Sequence, residues 1–141
     1  KLLKKSILKK NIVTHRGDAK YPDWIIARSE IELIYKAPMR MIYFAFGPFP
    51  WNIKKNSHLI GMLDGFLYIF LFYLILLNRK AIFEDPNLRI ILLLLLVYLF
   101  VYGIGVANFG TAFRHRVKFS IMFILLAAPL LPKFTFSKKD K

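Results

Sequence analysis

The stretch "IILLLLLVYLFVYGIGVA" (Ile90–Ala107) decides the fold of this chain. It contains 18 residues and not one of them is charged. About 20 apolar residues in a helix cross a hydrocarbon core roughly 30 Å thick. A soluble domain would disperse its apolar residues by period rather than gather them in one run. The stretch therefore predicts a transmembrane helix.

Two more apolar runs flank this one. Leu59–Leu77, "LIGMLDGFLYIFLFYLILL", has a single charge, Asp64, and predicts another span. Phe119–Pro132 predicts a third span that is short and ends in prolines. We expect an all-α, multi-span helical membrane protein fragment with three transmembrane helices plus an interfacial or re-entrant helix.

The interfacial element is predicted just before the first span. Ser29 is followed three residues later by Glu32, a capping-box pattern that predicts a helix starting near Glu30. Pro38 is expected to interrupt this helix, because proline removes a backbone donor and clashes with the preceding turn. Ile31–Trp51 is therefore interpreted as interfacial or re-entrant, and the alternative is a full span from about residue 31 to residue 53.

The predicted organisation has four parts: 1–29, a basic amphipathic arm and polar loop; 30–57, the interfacial or re-entrant element; 58–132, the three-span bundle; and 133–141, a polar tail. The arm begins "KLLKKSILKK", which fits a basic surface helix or a solvated connector equally well. No signal-peptide pattern opens the chain. We expect a C-terminal part of a longer protein, with the missing N-terminal transmembrane helices as a partner.

Composition limits the possible functions. The 141 residues are 57% hydrophobic, carry a net charge of +14 and include no Cys. The basic residues cluster at the ends of the apolar runs, where anionic lipid head groups attract them, so membrane lipids rather than nucleic acid are the expected partner. The missing Cys excludes disulfides and thiol catalysis. Three scattered His are a weak metal signal, and neither a metal nor another cofactor is predicted.

Chemistry is expected in the basic segment Asn108–Lys118, "NFGTAFRHRVK". Arg114 and Arg116 flank His115, and a guanidinium presents a planar fork that matches phosphate oxygens. His115 would donate to a phosphate or move a proton near neutral pH. If the third helix starts there, its free amides would add positive charge. The alternative is that these cations only anchor the helix at the membrane surface.

Asn108 and Thr111, just before the cations, favour the binding interpretation. We count both among the predicted substrate-binding residues, together with His58.

The order of the spans places several residues together. The chain crosses once in Leu59–Leu77 and returns in Ile90–Ala107, so His58 and Asp64 lie at the same membrane face as the basic segment. The loop that contains Asp18 joins them if the element before the first span is re-entrant. A carboxylate inside lipid usually faces protein or a wet cavity. Asp64 either pairs with a nearby cation or acts on a proton or substrate.

The glycines at positions 61 and 65 form a G-x-x-x-G pattern around Asp64. Such a pattern predicts a face that packs closely against a neighbouring helix.

The order "GDAKYPDW", "GPFPW", "HLIGMLDGFLY" and "NFGTAFRHRVKF" resembles the C-terminal half of polytopic membrane proteins of bacterial surface-polysaccharide synthesis. These are grouped with O-antigen polymerases and glycosyltransferases that use polyprenyl-linked donors. The resemblance covers roughly residues 17–132, and the segment around Arg114 is its most specific part.

The resemblance implies part of an integral membrane glycosyltransferase or polymerase acting on polyprenyl-pyrophosphate-linked sugars, in the bacterial cytoplasmic membrane. Arg114 and Arg116 would bind the pyrophosphate, and Asp64 or Asp18 would activate an acceptor hydroxyl. A non-catalytic transporter or flippase component and a structural membrane subunit are the alternatives. Harmless replacement of both arginines by lysine would favour the structural subunit.

Overall fold

The structure, a computed structural model, describes residues 19–53 and 56–130. Its helices are α1 (Glu30–Phe46), α2 (Ser57–Leu77), α3 (Arg79–Glu84), α4 (Pro86–Gly105), α5 (Phe109–Arg116) and α6 (Ser120–Ala127), with short 3-10 turns at Asp23–Ile25, Pro50–Asn52, Val117–Phe119 and Ala128–Leu130. In the described ranges there is no strand, and the one isolated β-bridge joins Lys20 to Asn108. The predicted all-α class is confirmed.

Helix α1 begins where the capping box predicted. The Ser29 hydroxyl accepts a hydrogen bond from the Glu32 N–H at 3.2 Å, and the Glu32 carboxylate accepts one from the Arg28 N–H at 3.1 Å. That N–H, together with the Lys36 ammonium, holds the pKa of Glu32 below its ordinary value.

The predicted break at Pro38 is wrong, because α1 runs through it without interruption. Pro38 has no N–H, so the carbonyl of Ile34, four residues earlier, lacks its usual helical donor. Both residues lie on the exposed side of the helix. Beyond the proline, buried contacts of Arg40 and Phe44 hold the helix to its neighbours.

Helices α2 and α4 are each long and apolar enough to cross a membrane. Among the residues that the structure describes, only narrow stripes of these two helices are covered, and just 28% of the most apolar stretch of α2 and 17% of that of α4 are buried. The covered stripe of α4 is Leu95, Leu99 and Gly103, which are spaced four residues apart. The large apolar side chains on the remaining sides face outward.

Helix α4 begins at Pro86, four residues before the apolar run that predicted it. Asp85 is its N-cap, and a carboxylate oxygen accepts a hydrogen bond from the Asn87 N–H at 2.8 Å. The connector before it contains the six-residue helix α3, which the sequence did not predict. At this end of the bundle the Asn78 side chain donates to the Leu126 carbonyl at 3.0 Å, so the end of α2 lies against the end of α6.

The predicted third span is divided. Residues 109–130 form one helical path, which consists of α5, the 3-10 turn Val117–Phe119, α6 and a last 3-10 turn. The path changes direction at Phe119, whose backbone leaves helical geometry at φ −122° and ψ 9°. Residues 131 and 132 of the predicted span lie outside the described residues.

Close helix contacts form at glycines. A Cβ added to Gly65 would overlap the Phe46 carbonyl, and one added to Gly61 would stand 3.2 Å from Pro48. The expectation that the G-x-x-x-G pattern marks a close-packing face is confirmed, and its neighbour is the carboxyl end of α1. Gly65 is eight residues into α2, which is about 12 Å along the helix at 1.5 Å per residue. The end of α1 therefore reaches well past the start of α2.

Candidate functional site

The residues predicted to share one end of the bundle do so. An Asp64 carboxylate oxygen lies 3.2 Å from a terminal nitrogen of Arg116. The loop before α1 joins them, because the Tyr21 N–H donates to the Ala107 carbonyl at 3.1 Å and the Phe109 N–H donates to the Ala19 carbonyl at 2.8 Å. The prediction that Asp64 and the basic segment are neighbours is confirmed.

Arg116 is fully buried in the last turn of α5. One of its terminal nitrogens donates to the Ala45 carbonyl at 3.3 Å, and the other donates to the Gly47 carbonyl. Both acceptors belong to the carboxyl end of α1, where helix carbonyls lack intrahelical donors and the helix dipole favours a cation. Arg116 is therefore the C-terminal cap of α1 and the ion-pair partner of Asp64.

Arg40 makes the corresponding contacts for another helix, and sequence reasoning missed it as a site residue. It is fully buried in α1 and donates to the carbonyls of Gly103 and Ile104, both at 3.0 Å, and of Val106 at 2.9 Å. These acceptors are at the carboxyl end of α4. The signal in the sequence was a lone cation inside an apolar and aromatic stretch, "MRMIYFAF".

Asn108 and Thr111 form the start of α5. The Asn108 side-chain oxygen accepts from the Gly110 N–H at 2.8 Å and from the Thr111 N–H at 3.4 Å, an N-cap that satisfies two of the free amides. The basic segment is therefore helical, and its cations occupy the carboxyl end of α5. The expectation that a helix amino terminus reinforces them is wrong.

The three cationic positions have different surroundings. Arg114 is exposed, Arg116 is buried, and the partly buried His115 ring lies 4.8 Å from the Tyr102 ring. Residues two apart on a helix do not face each other. The two guanidinium groups do not converge on one ligand in this structure, and phosphate binding by the pair stays a prediction.

His58 is 9% exposed and lines a pocket of about 320 Å³. The other lining residues are mostly apolar: Ala19, Pro48, Ile60, Gly61, Phe109, Gly110 and Phe113. The side chain of Asp64 keeps 21% of its surface exposed, so one catalytic candidate is reachable from outside. The other candidate, Asp18, lies outside the described residues. Among the residues that the structure describes, no cluster of three or more His, Asp or Glu could hold a metal.

The site thus consists of an ion pair between buried Arg116 and partly exposed Asp64, two helix ends capped by arginine, and a small apolar pocket beside His58. No family model, curated protein or solved structure matches the chain.

Proposed function

We propose that this chain is part of an integral membrane protein, with α2, α4 and the α5–α6 path as three passes and α1 as a re-entrant helix. The observation that carries the proposal is the outward surface of α2 and α4. In the described structure, large apolar side chains cover most of both helices and face away from the protein. Contiguous exposed apolar areas of this extent mark membrane or partner surfaces rather than surfaces in water.

The third pass is supported by length and by its contact at the far end. The helical path over residues 109–130, which bends at Phe119, contains about as many residues as the roughly 20 that a helix needs to cross a hydrocarbon core. Its carboxyl end contacts Asn78 at the end of α2, and its amino end lines the same pocket as Gly61 near the start of α2. The path therefore runs alongside α2 over the same thickness.

The re-entrant interpretation of α1 is supported by its depth. The helix ends beside Gly65, inside the bundle, and the chain then returns through Pro48 to begin α2 at Ser57. Backbone groups at membrane depth must find partners within the protein. Arg116 supplies them for the last carbonyls of α1, and Arg40 does the same for α4.

The membrane assignment is tested by placing a charge on the outward face of α4. Val97→Arg, at an exposed position near its middle, should reduce the protein recovered in carbonate-washed membranes, because a central arginine is penalised by about 2.5–3.5 kcal/mol on insertion scales. The matched control is Phe83→Arg, at an exposed position in the connecting helix α3, which should change nothing. Equal recovery of both variants would contradict the proposal.

We propose that this protein is part of a glycosyltransferase or polymerase. The enzyme would use polyprenyl-pyrophosphate-linked sugars in a bacterial cytoplasmic membrane. This activity is supported by the sequence resemblance and by a carboxylate that stays 21% exposed beside a buried arginine. In this proposal Asp64 activates the acceptor hydroxyl and Arg114, the exposed cation, contacts the pyrophosphate. A transporter or flippase for the same lipid-linked sugar needs the cation without the base.

Polymer length and yield separate these activities. Arg114→Ala should abolish polymer at a normal membrane level of protein, whereas Arg79→Ala, an exposed cation at the opposite end, should not. Asp64→Asn should stop a transferase and be tolerated by a transporter. If Arg114→Ala leaves both length and yield unchanged, the lipid-linked sugar is not handled at this position.

A further inference from the structure

We infer that Trp24 and Trp51 form one aromatic patch that sits in the lipid head-group layer and fixes the depth of the protein in the bilayer. The inference rests on the proposed membrane insertion. It starts from the two Trp in the sequence, which are 27 positions apart and lie on separate segments.

Both Trp side chains contact the same residue, Tyr43 of α1. The Trp24 ring meets the Tyr43 ring edge-on at 5.8 Å, and the Trp51 indole N–H donates to the Tyr43 hydroxyl at 3.4 Å. Trp51 also stacks on Phe49, with ring centroids 4.9 Å apart and planes 10° apart. The two rings are therefore held in place, yet Trp24 is 58% exposed and Trp51 72% exposed.

The patch lies at the end of the bundle where both long apolar helices terminate. Trp51 is six residues before the start of α2. Tyr43 contacts the ring of Phe109, the first residue of α5, at 6.2 Å, and α4 ends four residues earlier at Gly105. The outward apolar surface of the long helices thus ends close to the two indoles.

The chemistry of the patch favours lipid head groups over lipid tails or bulk water. Indole and phenol rings are apolar bodies with a polar edge, and they are enriched at the level of the membrane–water interface. Charges begin beside the patch, since Lys20 pairs with Asp23 at 3.2 Å directly before Trp24. A surface that is aromatic, rigid and bordered by charges fits an interface between an apolar and a wet layer.

Intrinsic fluorescence tests this directly, because the chain has only these two Trp. The full chain is reconstituted in phosphatidylcholine vesicles with lipids brominated either near the glycerol end or near the methyl end of the acyl chain. Trp24→Phe and Trp51→Phe each leave one reporter. Both reporters should be quenched more by the shallow bromine than by the deep one, with the same ratio, as expected about 15 Å or more from the bilayer centre.

A deep reporter separates failure of this inference from failure of the membrane proposal. Leu67→Trp in a chain that lacks both native Trp places an indole on the exposed side of α2, ten residues from its start. It should be quenched more by the deep bromine. Suppose that Leu67→Trp is quenched more by the deep bromine. If Trp24 and Trp51 are then quenched by neither bromine, or are also quenched more by the deep one, the patch does not lie among head groups. If Leu67→Trp is itself unquenched, insertion fails and the inference falls with it.

Discussion

Removing the Arg40 guanidinium should destabilise the protein more than removing any exposed cation. In Arg40→Met the apolar stem is kept, while the carbonyls of Gly103, Ile104 and Val106 lose a donor within 3.0 Å. An unsatisfied buried acceptor costs about 1–3 kcal/mol, so the two buried carbonyls, of Gly103 and Val106, give about 2–6 kcal/mol. The methionine variant no longer has to bury a cation, and this offsets part of that cost. We expect a net loss of about 1–3 kcal/mol in the free energy of unfolding.

The assay is reversible unfolding in mixed micelles of a mild detergent and dodecyl sulfate, followed by far-UV circular dichroism. Arg114→Met is the matched control, since that side chain is exposed and its replacement should stay within about 0.5 kcal/mol of the parent. Arg40→Lys keeps the charge without the planar fork and should fall between the two. Hydrogen exchange should quicken at the Val106 amide, which donates to Tyr102 at the end of α4. Equal stability of Arg40→Met and Arg114→Met would refute the capping role.

Three further predictions can be tested by the same unfolding assay. Gly65→Ala would drive a methyl into a main-chain carbonyl of α1 and should cost about 1–3 kcal/mol, whereas Gly105→Ala, with nothing within 4 Å, should not destabilise. Asn108→Ala removes the N-cap of α5 and should cost about 1 kcal/mol; no loss would mean the cap is dispensable. Burial raises the pKa of Tyr21 far above its ordinary value. Above about pH 10 the Tyr21 hydroxyl therefore ionises in the unfolded chain but not in the folded one. The free energy of unfolding should fall with pH in the parent, and less steeply in Tyr21→Phe.

Local and pairwise features of the fold could be predicted from the sequence. The capping box at Ser29 and the apolar runs depend on neighbours in the chain, and both match the structure. The location of Asp64 and the basic segment at one end of the bundle followed from counting passes, since two antiparallel helices return the chain to that end. Asp85 and Pro86 likewise mark a helix start that short-range chemistry determines.

The roles of the arginines could not be predicted, because they depend on which helix ends meet. Whether Arg116 faces a ligand or the last carbonyls of α1 is decided by the packing of segments 69 to 71 residues apart. The same holds for Arg40, whose acceptors lie 63 to 66 residues away. Pro38 misled for a related reason: tertiary contacts on the buried side kept α1 continuous where local propensity alone favours a break.

The central claim is that α2 and α4 cross a bilayer and leave the connecting helix and the basic segment on opposite sides. Because the chain has no Cys, single cysteines can be introduced at three exposed positions: Lys80→Cys in α3, Leu67→Cys in the middle of α2 and Arg114→Cys in α5. A membrane-impermeant maleimide applied to intact vesicles should label one of Lys80→Cys and Arg114→Cys, reach the other only after permeabilisation, and leave Leu67→Cys unlabelled in both. Labelling of all three from one side would contradict the account.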